Sequence, residues 1–229
     1  MAKKRDQKEE VIVDVEQFYS KTETFIEENK NVLVGIVAAL AIIIGGYFAY
    51  NGFYLAPMQD EAQQEMFMAE KYFSQDSMNL AIYGDDVYAG FLEISDNYSG
   101  TKAGNLSNYY LGIAFLRTGQ FEQAIDALND FDSDDEMIGT IALGAKGDAY
   151  MELGDLNKAV SNYEKAANRR DNEFTSPLYL KKAAETYELL GEYDNAVEHY
   201  KSIKEDYKKS AEASDIDKYI ARAESFVQN

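Results

Sequence analysis

Three segments of the chain repeat one pattern of small and aromatic residues, and this repeat limits the possible fold more than any other feature. In each segment a glycine or alanine is followed by an aromatic residue, then by a glycine, and then by an alanine in the same register. The central glycines are Gly119, Gly154 and Gly191, spaced 35 and 37 residues apart. A glycine adopts the left-handed conformation that ends a helix at little cost. Each segment is therefore predicted to form two antiparallel helices, which approach most closely at the small residues Gly112, Gly147, Ala184, Ala124, Ala159 and Ala196.

The period and the residue pattern are typical of the tetratricopeptide repeat, which has about 34 residues and forms one helical hairpin. The predicted fold is all-α, an N-terminal transmembrane helix followed by a tetratricopeptide-repeat α-solenoid with a C-terminal capping helix. A terminal helix of a solenoid needs a polar outer face, and residues 212–228 have one apolar and one charged face. The repeat domain is predicted to comprise residues 58–229. Its predicted parts are a degenerate leading pair at 58–98, repeats at about 105–139, 140–174 and 177–210, and the capping helix at 212–228.

Residues 32–50 form an uncharged run of 19 residues. At about 1.5 Å per residue, a helix of this length roughly spans a hydrocarbon core of about 30 Å. Aromatic residues crowd its downstream end, as in an interfacial belt: Tyr47, Tyr50, Phe53 and Tyr54. We predict an uncleaved membrane helix, followed by a linker at 51–57. The alternatives are a buried core helix and a cleaved signal peptide.

Basic residues are distributed unequally around this run. Residues 1–31 contain six Lys or Arg, whereas residues 51–70 contain none. The more basic flank of a membrane helix stays in the cytoplasm, so residues 58–229 are predicted to cross the membrane. The cytoplasmic segment 1–31 includes an amphipathic stretch at 11–31, which is either a partner-binding helix or an extension of the span.

Composition argues against several classes of function. The chain carries 22 Lys and Arg against 41 Asp and Glu, a formal charge of −19, which opposes nucleic-acid binding. It has no cysteine, and His199 is its only histidine, so thiolate and histidine-cluster chemistry is excluded.

An acidic run at 130–136 lacks the glycine and glutamate of a calcium loop, with Asp135 and Ile141 at those positions. It is predicted to be a turn in which Ser133 or Asp134 caps the next helix. We predict no catalytic residue, cofactor, metal or small-molecule substrate, and no spacing marks a catalytic carboxylate pair.

Two surfaces are candidate protein-binding sites. The first helix of each pair lines the concave face of a tetratricopeptide solenoid. The repeat register places on that face Tyr109, Ile113 and Arg117, then Gly144, Asp148 and Glu152, then Lys181, Glu185 and Glu188. In the membrane helix, the pairs Gly35/Ala39 and Ala41/Gly45 have the small-xxx-small spacing that permits close helix contact in lipid.

The order of segments resembles one known family. An apolar helix in FIEENKNVLVGIVAALAIIIGGYFAY precedes an acidic domain that opens with EAQQEMFMAEKYF and continues with GTKAGNLSNYYLGIAFLRTGQFEQAI. This arrangement resembles the single-span periplasmic tetratricopeptide-like subunits of the Sec translocon (YfgM-like), in their Bacteroidota style. The resemblance implies a protein of the bacterial inner membrane that associates with Sec translocon subunits and with periplasmic chaperones or nascent chains. An assembly factor of another envelope machine, for outer-membrane protein assembly, secretion or gliding, is the alternative.

Overall fold

A computed structural model describes Phe18 and residues 20–227 of the chain. Most of segment 1–31, including Val11 and Val15 of its amphipathic stretch, lies outside the described residues. The chain divides into two compact units, Met1–Pro57 and Met58–Asn229. Within the described residues all regular structure is helical, apart from one isolated bridge between Gly84 and Ala89.

The first unit is built around helix α1, Lys30–Tyr50, which follows helical residues at 20–28. A π-helical turn, Asn51–Leu55, comes next, so most of the segment predicted as a linker is helical. The helical run Lys30–Ser74 contains the one stretch among the described residues that is long and apolar enough to cross a membrane. No residue of α1 is buried.

The second unit is a series of helix pairs. It starts with α2 (Ala56–Ser74), α3 (Met78–Tyr83) and α4 (Phe91–Asn97). Three longer pairs follow, α5/α6 (Lys102–Arg117, Phe121–Asp130), α7/α8 (Glu136–Glu152, Leu156–Arg169) and α9/α10 (Thr175–Leu190, Tyr193–Asp206). A 3-10 turn, Glu212–Asp215, leads into the last helix, α11 (Ile216–Val227). From α4 to α11 each helix packs mainly on its neighbours in sequence, whereas the short α3 packs mainly on α5. Packing between successive helices is the arrangement of a solenoid.

The first helix of each long pair ends in the same way. Gly119, Gly154 and Gly191 have φ angles of +75°, +74° and +78°. The N–H of the following residue donates to the carbonyl five residues earlier, at 2.8, 2.9 and 2.9 Å in the three pairs. These bonds form the Schellman motif, which satisfies carbonyls at the end of a helix. The predicted role of the three glycines is confirmed.

Helix α2 ends in the same motif without a glycine. Asp76 has a φ angle of +58°, and the N–H of Ser77 donates to the carbonyl of Tyr72 at 2.9 Å. Aspartate tolerates this conformation better than most residues. The leading pair α2/α3 is therefore a fourth copy of the helix-end geometry, with Asp76 at the position of the repeat glycine.

Side-chain oxygens cap the starts of several helices. Thr101 accepts from the N–H of Gly104 at 3.0 Å, and Asp155 accepts from the N–H of Lys158 at 3.2 Å. Asp135, rather than the predicted Ser133 or Asp134, caps α7, because its carboxylate accepts from two N–H groups of the first turn. Ser133 instead accepts from the N–H of Asp135, so it supports the cap from the preceding turn.

The small residues of the repeat lie at the contacts between paired helices. A Cβ atom on Gly112 would overlap Leu128, and one on Gly147 would overlap Tyr163. The repeat alanines Ala124, Ala159, Ala184 and Ala196 are fully buried. Helix α11 covers the end of this core with Ile216, Ile220 and Ala223.

A concave pocket between the first helices of the repeats

A cavity of about 640 Å³ opens between the C-terminal halves of α5, α7 and α9, the first helices of the three long pairs. These halves face one cavity because successive first helices of the solenoid pack side by side. The side chains around it are mixed in polarity. They are Leu116, Arg117, Phe121, Asp148, Met151, Glu152, Tyr163, Lys182, Glu185, Thr186 and Leu189. We refer to this cavity as the concave pocket.

A hydrogen-bonded ion pair joins three helices at the pocket wall. The ammonium of Lys182 lies 2.6 and 2.9 Å from the two carboxylate oxygens of Asp148, and the hydroxyl of Tyr163 donates to the same carboxylate at 2.6 Å. Charge-assisted hydrogen bonds of this kind are stronger than neutral ones. Burial, together with the carboxylate of Asp148, raises the pKa of Tyr163 well above its usual value. The three groups hold α7, α8 and α9 together and leave Lys182 and Asp148 mutually neutralised.

The remaining charges of the pocket are not balanced. Arg117 lies 3.6 Å from the carboxylate of Asp76, and its guanidinium lies 5.1 Å above the ring of Phe73. Glu152 and Glu185 form no salt bridge with any residue that the structure describes. After Lys182 is paired with Asp148 and Arg117 with Asp76, the pocket keeps two carboxylates without a salt bridge, of which Glu185 interacts at longer range with the ammonium of Lys181.

Apolar side chains complete the lining. Leu116, Phe121 and Met151 contribute apolar surface, and Leu189 leaves 64% of its surface exposed at the rim. An exposed leucine beside a cavity is apolar area that a ligand could remove from water, which is favourable at about 25 cal/mol per Å².

Apart from Gly144, eight residues were predicted for the groove, and four of them meet in this pocket, namely Arg117, Asp148, Glu152 and Glu185. The structure places the other four elsewhere. The ring of Tyr109 packs against Phe131, with 5.4 Å between centroids, and Ile113 packs on the cluster of Leu128, Ala142 and Ala145.

The last two predicted groove residues face the C-terminal helix. The ammonium of Lys181 lies 4.3 Å from the ring centroid of Tyr219, and Glu188 lies 2.7 Å from the guanidinium of Arg222. Gly144, placed on the same face by the repeat register, lies beneath Tyr179, whose ring a Cβ atom would overlap. It therefore contributes to packing between repeats rather than to a binding surface.

Lys182, Met151 and Leu189 line the pocket but were missed from the sequence. Counting the same number of positions from the small residue of each repeat finds one of these three residues. Arg117 and Glu152 stand five positions after the small residues Gly112 and Gly147, and the same count from Ala184 reaches Leu189 rather than Glu188. Lys182 has no such signal, because its role depends on Asp148 of the preceding repeat.

The predicted packing face of α1 has no partner among the described residues. No atom outside its own helix backbone lies within 4 Å of a Cβ built on Gly35 or Gly45, and Ala39 and Ala41 are exposed. Among the described residues, no cluster of three or more His, Asp or Glu side chains is arranged to hold a metal ion.

The sequence of the repeats matches known families over the three long pairs. Models described as tetratricopeptide repeat match residues 107–134, 141–173 and 181–210. The second unit is a tetratricopeptide-repeat solenoid. The predicted all-α solenoid is thereby confirmed, and the repeats indicate a protein–protein interaction scaffold, a fold that is typically non-catalytic.

Comparison with solved structures agrees on the fold. The chain is similar to a putative kinesin light chain of Podosopora anserina with nearly identical TPR-like repeats, with a TM-score of 0.54 and 15% identity. The match covers 74% of this chain and 88% of that chain. At this identity the likeness concerns the fold alone. No curated protein sequence matches the chain.

Proposed function

We propose that the protein is a membrane-anchored scaffold that binds other proteins through the concave pocket. The observation that carries this proposal is the pocket itself, a cavity of about 640 Å³ with exposed apolar surface and two carboxylates that form no salt bridge among the described residues, on the inner face of a repeat solenoid. Extended concave surfaces are what repeat proteins use to bind their partners.

In this proposal α1 is a membrane anchor, with the N-terminus in the cytoplasm. Support comes from the uncharged run at 32–50 and from the six basic residues before it against none in the 20 residues after it. The acidic repeat domain then lies on the opposite side of the membrane, which in a bacterial inner membrane is the periplasm. A strongly acidic domain is also repelled by anionic lipid, so it would stand away from the bilayer.

The partner complex that we propose is the Sec translocon. The protein would be an accessory subunit that links the channel to periplasmic chaperones or emerging polypeptides. The support is the resemblance in segment order, with one apolar helix preceding an acidic repeat domain, and the Gly35/Ala39 and Ala41/Gly45 face that permits close helix contact in lipid.

Purification of the full chain in mild detergent, followed by mass spectrometry of co-purifying proteins, tests the partner. Sec channel subunits are expected, whereas outer-membrane assembly, secretion or gliding components would support another envelope machine. Replacing Gly35 and Ala39 with leucine should reduce channel recovery, because bulk on this face prevents close backbone approach. The control adds bulk to the side of α1 that lies away from both small pairs by replacing Leu33 and Leu40 with phenylalanine, and it should leave recovery unchanged. Equal recovery with all variants would contradict a role for the small face.

Orientation has its own test. Protease added to spheroplasts should digest residues 57–229 and leave a short protected N-terminal fragment. Complete protection of the repeat domain would overturn the orientation and the translocon-side role together.

A further inference from the structure

We propose that the concave pocket binds a peptide segment in which a large apolar side chain is flanked by lysine or arginine. This inference rests on the proposed scaffold function and adds the chemistry of the bound segment. It combines two features of the pocket, namely two carboxylates that form no salt bridge among the described residues and an exposed apolar rim.

The charge preference follows from which groups are already paired. Lys182 makes two short contacts with Asp148, at 2.6 and 2.9 Å, so an incoming carboxylate would have to compete with this internal ion pair. Arg117 lies beside Asp76 and over Phe73. Glu152 and Glu185 form no salt bridge among the described residues, and Lys181 interacts with Glu185 only at longer range. A basic side chain would therefore gain new ion pairs with them, whereas an acidic one would be repelled.

The whole repeat domain favours the same sign of ligand. Residues 58–229 carry 16 basic and 33 acidic groups, a net charge of −17. A field of one sign raises the local concentration of oppositely charged ligands and their association rate. A basic segment is therefore attracted before it reaches the pocket.

The apolar preference follows from the surface that the pocket leaves exposed. Leu189 is 64% exposed beside Leu116, Phe121 and Met151. Methionine and leucine adapt to differently shaped side chains. A leucine or phenylalanine from the peptide would cover this surface while the two glutamates hold its basic neighbours, since both glutamates line the cavity, Glu152 from α7 and Glu185 from α9.

The test is fluorescence anisotropy with the full chain in nanodiscs of neutral lipid, with empty nanodiscs as the blank. The probe is a labelled peptide Gly-Ser-Lys-Leu-Phe-Lys-Ser-Gly. Two matched peptides replace both lysines with glutamate, or replace Leu-Phe with Ser-Ser. The lysine peptide should bind at least about tenfold more tightly than either matched peptide, because each loses one of the two contributions. Its affinity should also fall as salt rises, because ions screen exposed charges.

Variants of the protein locate the binding. Glu152→Gln and Glu185→Gln should each weaken the lysine peptide by about two- to fivefold, the usual size of an exposed ion pair. Leu189→Ser should weaken it as well. Glu198→Gln removes the same charge from an exposed position outside the pocket and should leave the affinity unchanged. The unfolding midpoint of each variant shows that the fold is retained.

Three results would overturn the inference. One is equal binding of the lysine and glutamate peptides, and another is an equal effect of Glu198→Gln and Glu152→Gln. The third is no binding of any peptide by a chain that still co-purifies stoichiometric partners, in which case the scaffold function stands and the peptide chemistry is wrong. If neither peptides nor partners bind, both the inference and the proposed function fail.

Discussion

The leading helix pair and the three long pairs share one helix-end geometry but are packed differently. In α2/α3 the second helix has six residues, against 10 to 14 in the other pairs. Aromatic rings form the core beside this helix. Phe91 stacks on Tyr110 with 4.7 Å between ring centroids, and Phe73 contacts both rings edge-on. Between the second and third long pairs, a buried apolar cluster that includes Ala159, Ala183 and Tyr179 is supplemented by the polar group of Lys182, Asp148 and Tyr163.

This difference shows that the four pairs share the turn between helices, while the side chains of the core around it vary. The leading pair keeps the turn with Asp76 in place of glycine and closes its end of the domain with apolar packing. The long pairs have apolar cores of their own, built around small residues, and add the polar group of Lys182, Asp148 and Tyr163 at the wall of the concave pocket. Apolar packing therefore stabilises both regions, and the polar group lies in the region that contains the pocket.

The largest expected effect is at the aromatic cluster of the leading end. Phe91 is fully buried, so Phe91→Ala should lower the free energy of unfolding by about 3–5 kcal/mol through lost burial and a cavity. Urea unfolding of the full chain, followed by far-ultraviolet circular dichroism, measures the change. Phe174→Ala is the matched control, because Phe174 is 79% exposed, and it should change stability by less than about 0.5 kcal/mol. Equal effects of the two variants would contradict the assigned core.

The long pairs should also be sensitive to alkaline pH. Burial, with the nearby carboxylate of Asp148, raises the pKa of Tyr179 to about 12, above about 10 for an unfolded tyrosine. A raised folded pKa contributes stability that is present below pH 10 and is lost as pH rises towards 12. Tyr179→Phe should reduce this alkaline loss by on the order of 2 kcal/mol, because each unit of pKa difference corresponds to about 1.4 kcal/mol.

Urea unfolding at several pH values between 9 and 12 would measure this effect. The exposed Tyr88 provides the matched control, and Tyr88→Phe should keep the wild-type slope. An unchanged slope in Tyr179→Phe would show that the tyrosine between the repeats is not buried as the structure describes.

The left-handed turn that ends the first helix of each long pair predicts a smaller loss of stability when its glycine is replaced. Gly154 has a φ angle of +74°, and a Cβ atom there would meet nothing within 4 Å. Gly154→Ala should therefore cost about 1 kcal/mol from backbone conformation alone, without any steric overlap. Thermal unfolding of the variant would report it, and an unchanged midpoint would argue against the left-handed turn.

The smallest expected effect is a gain of stability in the leading pair. Asp76 holds φ at +58° where the repeats have glycine, so Asp76→Gly should relieve strain and raise stability by about 0.5 kcal/mol. The exposed ion pair with Arg117, at 3.6 Å, offsets only part of this gain, because exposed ion pairs contribute little to stability. A marked loss of stability would show that the ion pair outweighs the strained turn.

The sequence pattern predicted the hairpins and their turns well, because glycine, aromatic and small residues act locally within each repeat. The same local rule also explains a miss. The leading pair follows the register with Ala69, Tyr72 and Ala81, but its turn residue is Asp76, so a search for glycine passes over it.

The pocket was harder to predict because it depends on contacts between repeats. Arg117, Asp148, Glu152 and Glu185 were found from the register of a single helix. Lys182 was not, since its position over the pocket follows from Asp148 and Tyr163 in the preceding pair. Long-range pairs of this kind leave no periodic signal in the chain.

Site-specific photocrosslinking in living cells tests the central claim, binding of partners through the concave pocket, most directly. A photoreactive phenylalanine analogue is placed at Leu189 in the pocket or at Glu198 outside it, both of which are exposed. We predict that position 189 forms crosslinks whose mapped peptides contain an apolar residue beside lysine or arginine, and that position 198 does not. Equal crosslinking from both positions, or none from position 189 while partners still co-purify, would contradict the account.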